Sequence, residues 1–118
     1  MHTLNFSHNW NNKLANMAFT TLRLSNAKYE KGSKWAVRFK GQYRPKLAQI
    51  LEKKQIKLAD INEYIARLDT GYSKAECQQV LRTMYKNSAV NWDTQKIDFI
   101  LLAYTDESVS NQSQIFKK

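Results

Sequence analysis

The segment KWAVRFKG, residues 34–41, restricts the fold more than any other part of this sequence. Every second position is apolar: Trp35, Val37 and Phe39. The positions between them are basic or small: Lys34, Ala36, Arg38 and Lys40. Because successive side chains of a strand point to opposite faces, this alternation predicts a strand that is buried on one face and basic on the other.

The remaining segments predict a mixture of strands and helices. FTTLRL, residues 19–24, is rich in aromatic and β-branched residues and predicts a strand with Thr21 and Arg23 on one face. Further elements are expected at residues 9–17 (a short helix), 46–57 (one long or two short strands), 59–68 (a helix) and 97–104 (a buried strand). This order of elements predicts an α+β fold, a small β-barrel with flanking helices.

The segment LDTGYSKAECQQVLRTMY, residues 68–85, contains a helix with a well-specified start. Ser73 and Glu76 form an S-x-x-E capping box. Apolar residues follow at helical spacing: Cys77, Val80, Leu81, Met84 and Tyr85. The preceding helix has a stripe of its own: Leu58, Ile61, Ile65 and Leu68. Asp69, Gly71 and Tyr72 stand between the two helices.

The net charge of +9 is concentrated in one part of the chain. Between Arg23 and Lys57, eleven basic residues face only Glu30 and Glu52, whereas the charges of all other residues balance to zero. A one-sided charge block on a folded domain is typical of proteins that bind polyanions. We therefore expect an RNA or nucleotide-like partner. The alternative is a small inhibitor or interaction module that docks its basic face on an acidic protein.

Several classes of protein and site are disfavoured. A chain of 118 residues is expected to form one domain, residues 1–105, followed by a polar and flexible tail, residues 106–118. No apolar run is long enough to cross a bilayer, and MHTLNFSHNW lacks the pattern of a secretory signal, so no membrane partner and a cytoplasmic location are expected. His2, His8 and Cys77 lack companions at ligand spacing, so neither a metal nor another cofactor is expected. Cys77 is predicted to be a buried structural thiol.

The order of FTTLRL, YEKGSKWAV, GYSKAECQQVLRTMY and DFILLAY resembles the ASCH domain, a family in the PUA-like β-barrel superfamily. The resemblance spans roughly residues 9–104. It implies an ASCH-like barrel that binds RNA, a nucleotide or a modified nucleoside in a cleft between the strands and the helices. Some relatives are amidohydrolases acting on acylated cytidine, and ribonuclease activity is also attributed to the family.

The hydrolase branch of the family has a K-T-x-T-x-R motif. Alignment on TLR places Thr21 at its second threonine and Arg23 at its arginine, while Ala18 occupies the position of the lysine. Lys13 lies more than a helical turn away, and Asp69, or Thr70 in an alignment without a gap, falls near the glutamate of the branch. Because alanine cannot transfer a proton, this alignment disfavours an enzyme. A nucleoside amidohydrolase and a metal-independent ribonuclease stay open as alternatives, with Thr21 and Asp69 as the candidate catalytic residues.

The candidate ligand-binding residues lie on the first predicted strand, before the capped helix and on the basic strand: Thr20, Thr21 and Arg23; Asp69 and Tyr72; Lys34, Arg38, Lys40 and Arg44. Arginine suits phosphate or base contacts, a carboxylate accepts from an exocyclic amine, and a tyrosine ring stacks on a base. A purely local interpretation is also open. Asp69 would then assist the helix start, Gly71 would supply a positive φ, and Tyr72 would contact Cys77. Arg23 would be a surface residue or would pair with Asp98.

Overall fold

The computed structural model describes residues 2–40 and 44–105, and the predicted tail at residues 106–118 lies outside them. Within the described residues, five strands form one sheet: β1 (His2–Phe6), β2 (Ala18–Leu24), β3 (Lys34–Phe39), β4 (Lys46–Ile56) and β5 (Ile97–Tyr104). The helices are α1 (Glu63–Asp69), α2 (Lys74–Met84) and two 3₁₀ helices, Trp10–Ala15 and Leu58–Asp60. We call Trp10–Ala15 the 3₁₀ segment. None of these helices combines the length and apolar character that a membrane span requires.

The sheet is mixed, with one parallel pair of strands. Its order is β1-β3-β4-β5-β2, in which β1 and β3 are parallel and the other neighbours are antiparallel. The alternation predicted for β3 is confirmed, since Trp35 and Val37 are buried while Lys34 and Arg38 are exposed. β4 is one long strand, and its register with β5 shifts between Ile50 and Glu52.

The two edge strands, β1 and β2, approach each other, although no backbone ladder joins them among the described residues. The rings of Phe6 and Phe19 meet edge-on, with centroids 6.0 Å apart. The Arg23 guanidinium donates from Nη2 to the Asn5 carbonyl oxygen (2.9 Å) and lies 4.6 Å from the centroid of the Phe6 ring. We call this meeting of the edges the seam. The curved sheet is thus a half-barrel, which agrees with the predicted small α+β barrel-like fold.

Apolar side chains form two buried clusters. The first lies inside the curved sheet: Leu4, Phe6, Leu14, Phe19, Trp35, Val37, Ala48, Ile50, Ile100 and Leu102. The second joins the sheet to the helices: Leu22, Ile56, Leu58, Ile61, Ala66, Cys77, Leu81 and Ile97. Burial of one large aliphatic side chain contributes about 1.5–3 kcal/mol. The second cluster therefore holds α1 and α2 against the sheet.

α2 begins as its capping box predicts. Ser73 Oγ accepts from the Glu76 backbone N–H (3.2 Å), and the Glu76 carboxylate accepts from the Ser73 backbone N–H (3.1 Å). Hydrogen bonds from Ser73, first of all from its backbone, lower the pKa of Glu76. Cys77 and Leu81 bury the predicted stripe, whereas Met84 at the end of the helix is 48% exposed.

Two predicted helices need correction, and one strand was not predicted. The helix expected at residues 59–68 is a 3₁₀ turn followed by α1, and Leu68 is exposed instead of completing a buried stripe. The helix expected at residues 9–17 is the short 3₁₀ segment, because Asn11 and Asn12 adopt left-handed backbone angles (φ 58° and 51°) that a right-handed helix excludes. β1 is absent from the sequence-based prediction, since five residues with two apolar side chains give too weak a pattern.

Candidate functional site

A cleft opens at the seam, between the edge strands and α2. Its polar lining includes Lys13, Thr21, Arg23, Asp69 and Thr70. Its apolar lining includes Phe6, Leu22, Val80, Leu81 and Met84. The cleft has a volume of about 60 Å³, counted as the space open to the centres of water-sized groups. The cleft therefore has room for part of a small ligand, with polar groups on one side and an apolar wall on the other.

A buried ion pair lies in the polar wall of this cleft. Lys13 Nζ donates to Asp69 Oδ1 at 2.9 Å, and the side chains are only 4% and 5% exposed. Thr20 Oγ1 donates to the same carboxylate oxygen, also at 2.9 Å. The ammonium group additionally lies 5.9 Å from the centroid of the Phe6 ring. Asp69 is therefore a buried acceptor rather than a cap for the helix that follows it.

Hydrogen bonds to the backbone of Leu14 help to hold the 3₁₀ segment, and with it Lys13, in place. Asn9 Oδ1 accepts from the Leu14 backbone N–H (2.9 Å), and Tyr104 donates its hydroxyl to the Leu14 carbonyl (2.8 Å). The left-handed Asn11 lies against Gly71, where an added Cβ would be 3.3 Å from the Asn11 side chain. Gly71 itself has the positive φ (81°) expected from the sequence. The turn between α1 and α2 thus helps to position the lysine.

Thr21 and Arg23 share one face of β2, as the strand alternation predicts. Arg23 Nε donates to Thr21 Oγ1 (3.1 Å), and both residues line the cleft. The alternative pairing of Arg23 with Asp98 is not formed, although the two residues are cross-strand neighbours. Asp98 instead accepts from the Ser25 hydroxyl and the Asn26 backbone N–H and forms an ion pair with Lys53 (3.4 Å). The Arg23 side chain therefore makes its hydrogen bonds at the seam and lines the cleft.

Burial shifts the pKa values of Lys13, Cys77 and Tyr85, which all line the cleft. Desolvation lowers the pKa of the Lys13 ammonium, and the attraction of Asp69 opposes this effect only in part. Desolvation raises the pKa of the Cys77 thiol, which is fully buried, and also that of the Tyr85 hydroxyl. The raised pKa of Cys77 disfavours a thiolate nucleophile. Because its pKa is lowered, Lys13 forms an uncharged amine at a lower pH than an ordinary lysine does.

Aromatic side chains at the end of β1 and the start of the 3₁₀ segment add a second feature. The rings of His8 and Trp10 stack with centroids 4.9 Å apart and an interplanar angle of 16°, and both line the cleft. Neither residue belongs to the predicted site, because an isolated aromatic residue in a polar segment gives no directional signal. His8 and Trp10 lie two residues apart, shortly before Lys13, and this closeness in sequence was the available signal.

The other predicted site residues lie outside the cleft. Tyr72 is 41% exposed and does not belong to the lining. Lys34 and Arg44 are exposed and lie elsewhere, whereas Arg38 and Lys40 border a neighbouring shallow groove. The structure therefore brings Thr21, Arg23 and Asp69 together in the cleft, with Thr20 bonded to Asp69, while the cations of the basic strand do not belong to the cleft lining.

The sequence places Lys13 more than a helical turn from the aligned lysine position, but the structure brings its ammonium group to Asp69. Ala18, at the aligned position of the family lysine, is exposed at the start of β2. Lys13 nevertheless reaches Asp69, because the left-handed residues of the 3₁₀ segment turn the chain back toward α1. Distance along an assumed helix is a poor guide here, because the segment is not an α-helix.

Among residues 2–40 and 44–105, no group of three or more His, Cys, Asp or Glu side chains is arranged to hold a metal ion. No protein-family model, no curated protein and no solved structure matches this chain. The ASCH resemblance therefore stays a prediction. The function has to be inferred from the geometry and charge of the site.

Proposed function

We propose that this chain binds RNA or a nucleotide-like ligand, with the base in the cleft, on a PUA-like (ASCH-like) fold. The observation that carries the proposal is the buried pair of Lys13 and Asp69 in the cleft wall. Transfer of each ion out of water costs several kcal/mol, so such a pair is a poor device for stabilising a fold. Ionisable groups held in a cleft with a shifted pKa are candidates for a functional role.

The chemistry of the lining suits a nucleoside. Asp69 can accept from an exocyclic amine, and the Arg23 guanidinium can donate to a carbonyl or phosphate oxygen. The stacked rings of His8 and Trp10 offer a planar surface at one side of the cleft. The apolar wall from α2 can cover the face of a base. This combination of planar, apolar and charged groups is typical of sites that bind single bases.

Binding is tested by NMR titration with the four ribonucleosides and with a short single-stranded RNA. We expect shifts at the Trp10 indole and at the amides of Thr21 and Arg23. Arg23→Gln and Asp69→Asn should each weaken binding about 10-fold or more, because each removes a charge-assisted hydrogen bond. Glu63→Gln, an exposed carboxylate elsewhere on α1, is the matched control. Shifts confined to residues outside the cleft would contradict the proposal.

A second candidate function, hydrolysis of an acylated cytidine, is favoured by the contact of Lys13 with Asp69. Lys13, with its lowered pKa, can act as a general base. It would take a proton from water as the water oxygen adds to the acyl carbon, and would return the proton to the cytosine amine as the C–N bond breaks. Arg23 is placed to stabilise the negative charge that develops on the acyl oxygen.

Hydrolysis is tested by following release of cytidine from N-acylated cytidine. Under this second candidate, Lys13→Met, Thr21→Ala and Asp69→Asn should each lower turnover, with a loss of about 10²–10⁴-fold for the lysine. Lys28→Met removes an exposed lysine between β2 and β3 and serves as the matched control. No turnover by the wild-type chain would reject hydrolysis of this substrate and leave ligand binding as the function.

A further inference from the structure

The cleft and the basic strand share one wall. Asn5, Phe6 and Ser7 line the cleft, and the same three residues line the neighbouring groove together with Arg38 and Lys40. The groove therefore begins where the cleft ends, on the other side of β1. A ligand that leaves the cleft over this strand meets two cations immediately.

Backbone pairing fixes these cations beside β1. Asn5 is in register with Arg38, and the Lys40 backbone N–H donates to the Phe6 carbonyl at 2.9 Å. On the cleft side, Arg23 donates to the Asn5 carbonyl. The paired strands β1 and β3 lie about 4.8 Å apart, so Arg38 flanks β1 on one side, while Arg23 contacts β1 from the other side through this hydrogen bond. Neither β1 nor β3 contains an acidic residue.

We infer that the ligand is a single-stranded RNA whose base enters the cleft while its adjacent phosphates lie over Arg38 and Lys40. This inference rests on the proposed function and adds the class and path of the ligand. A free nucleoside carries no phosphate, so it would leave the groove unused. A base inside a duplex is stacked and paired and cannot enter a cleft of this size without being displaced. The shared wall thus favours a single strand over both.

The double variant Arg38→Glu/Lys40→Glu tests the groove, and Lys28→Glu/Lys54→Glu is the control with the same change in net charge. Lys28 and Lys54 are exposed and line neither the cleft nor the groove. Binding of a short single-stranded RNA is measured between about 50 and 200 mM salt. Loss of two phosphate contacts should reduce the slope of log K against log salt by about 1.4. RNA affinity should fall at least about 10-fold at the low-salt end, and the control variant should keep the wild-type slope.

Ribonucleoside binding and the Asp69→Asn variant separate this inference from the proposed function. Equal slopes for the two double variants would overturn the inference, while loss of nucleoside binding in Asp69→Asn would still support the cleft as a ligand site. A reduced slope in the groove variant, with RNA binding unchanged in Asp69→Asn, would also overturn it, because the strand would then not enter the cleft. Unchanged affinity for both ribonucleosides and RNA in the Asp69→Asn and Arg23→Gln variants would reject the proposed function itself.

Discussion

Lys13 keeps its ammonium group out of solvent by pairing with one carboxylate oxygen, which also accepts from Thr20. Two donors therefore converge on Asp69 Oδ1, and the side chains of Lys13 and Asp69 are almost fully excluded from solvent. At such a buried position an unpaired charge is costly, because neither water nor a second charged group replaces the lost partner, and the Thr20 hydroxyl offers Asp69 only a neutral donor. The stability of the fold and the arrangement of the cleft wall therefore depend on the same two residues, Lys13 and Asp69.

Removal of one member of this buried ion pair should destabilise the fold far more than removal of one member of an exposed ion pair. We expect Lys13→Met to lower the free energy of unfolding by about 3–5 kcal/mol, because Asp69 is left as an uncompensated buried charge. Arg67→Met, which breaks the exposed pair with Glu63, should cost about 0.5 kcal/mol or less. Urea-induced unfolding measures both. Equal effects of the two variants would show that Lys13 is solvated in the native state.

The lowered pKa of Lys13 predicts an unusual pH dependence. In the window between this lowered value and the ordinary value of 10.5, the unfolded chain binds more protons at this residue than the native chain. The contribution of Lys13 to stability should therefore rise with pH through that window. Tyr85 and Tyr104, whose pKa burial raises, bind excess protons in the native state above pH 10, so their contributions should fall with pH there.

This dependence is measured as the free energy of unfolding against pH for wild type and Lys13→Met. The difference between the two curves isolates Lys13, because the tyrosines contribute to both. A flat or falling difference below pH 10 would contradict a lowered pKa.

Among the elements, the contact between the 3₁₀ segment and the α1–α2 turn decides where Lys13 lies. Asn11 lies against Gly71, and its side-chain amide also approaches the Arg67 carbonyl (3.5 Å). Neither element would hold this position alone, since short helical segments are marginal without tertiary contacts. The two elements therefore act as one unit that supports the cleft.

A matched pair of glycine variants tests this unit. Gly71→Ala and Gly32→Ala both place a Cβ on a residue with positive φ, 81° and 89° respectively. The backbone cost, roughly 1 kcal/mol, should be common to both. Only the Gly71 variant also meets the Asn11 side chain, whereas nothing lies within 4 Å at Gly32. We expect Gly71→Ala to be the more destabilising in urea unfolding and to shift the Lys13 and Thr20 resonances. Unchanged resonances would mean that the Asn11 side chain moves aside without displacing Lys13.

Local patterns predicted the elements whose own residues carry the signal for a helix or a strand. The alternation of β3, the capping box of α2 and the apolar run of β5 each carry a complete local signal, and all three form as expected. β1 carries no such signal, because its five residues form a strand only through pairing with β3. Lys13 was missed for a related reason. Its approach to Asp69 depends on two left-handed asparagines, which composition does not reveal.

For the whole molecule, the seam is the place where the half-barrel is held together. Elsewhere the sheet is joined by backbone ladders, whereas the described part of the seam relies on Arg23 and on the rings of Phe6 and Phe19. Arg23 bonds Thr21 on its own strand and Asn5 on the opposite edge. One side chain therefore both shapes the cleft and closes the sheet.

Loss of this bridge should loosen one strand without unfolding the domain. We expect Arg23→Ala to lower the free energy of unfolding by about 1–3 kcal/mol, because it removes two hydrogen bonds and a cation–π contact. Hydrogen exchange should rise selectively in residues 2–6. Arg38→Ala, on the exposed face of β3, removes the same type of residue without touching the seam and is the control. Equal exchange in the two variants would show that β1 is held by β3 alone.

The pairing of β2 with β5 also determines when the protein can fold during synthesis. Phe19 pairs with Leu102, so β2 waits without its partner until almost all of the described chain has left the ribosome. Pairings of such long sequence separation fold slowly, typically over milliseconds to seconds. Until then the aromatic residues of both edges stay exposed on the nascent chain, where they are prone to aggregate. The cleft cannot exist on a nascent chain that stops short of β5.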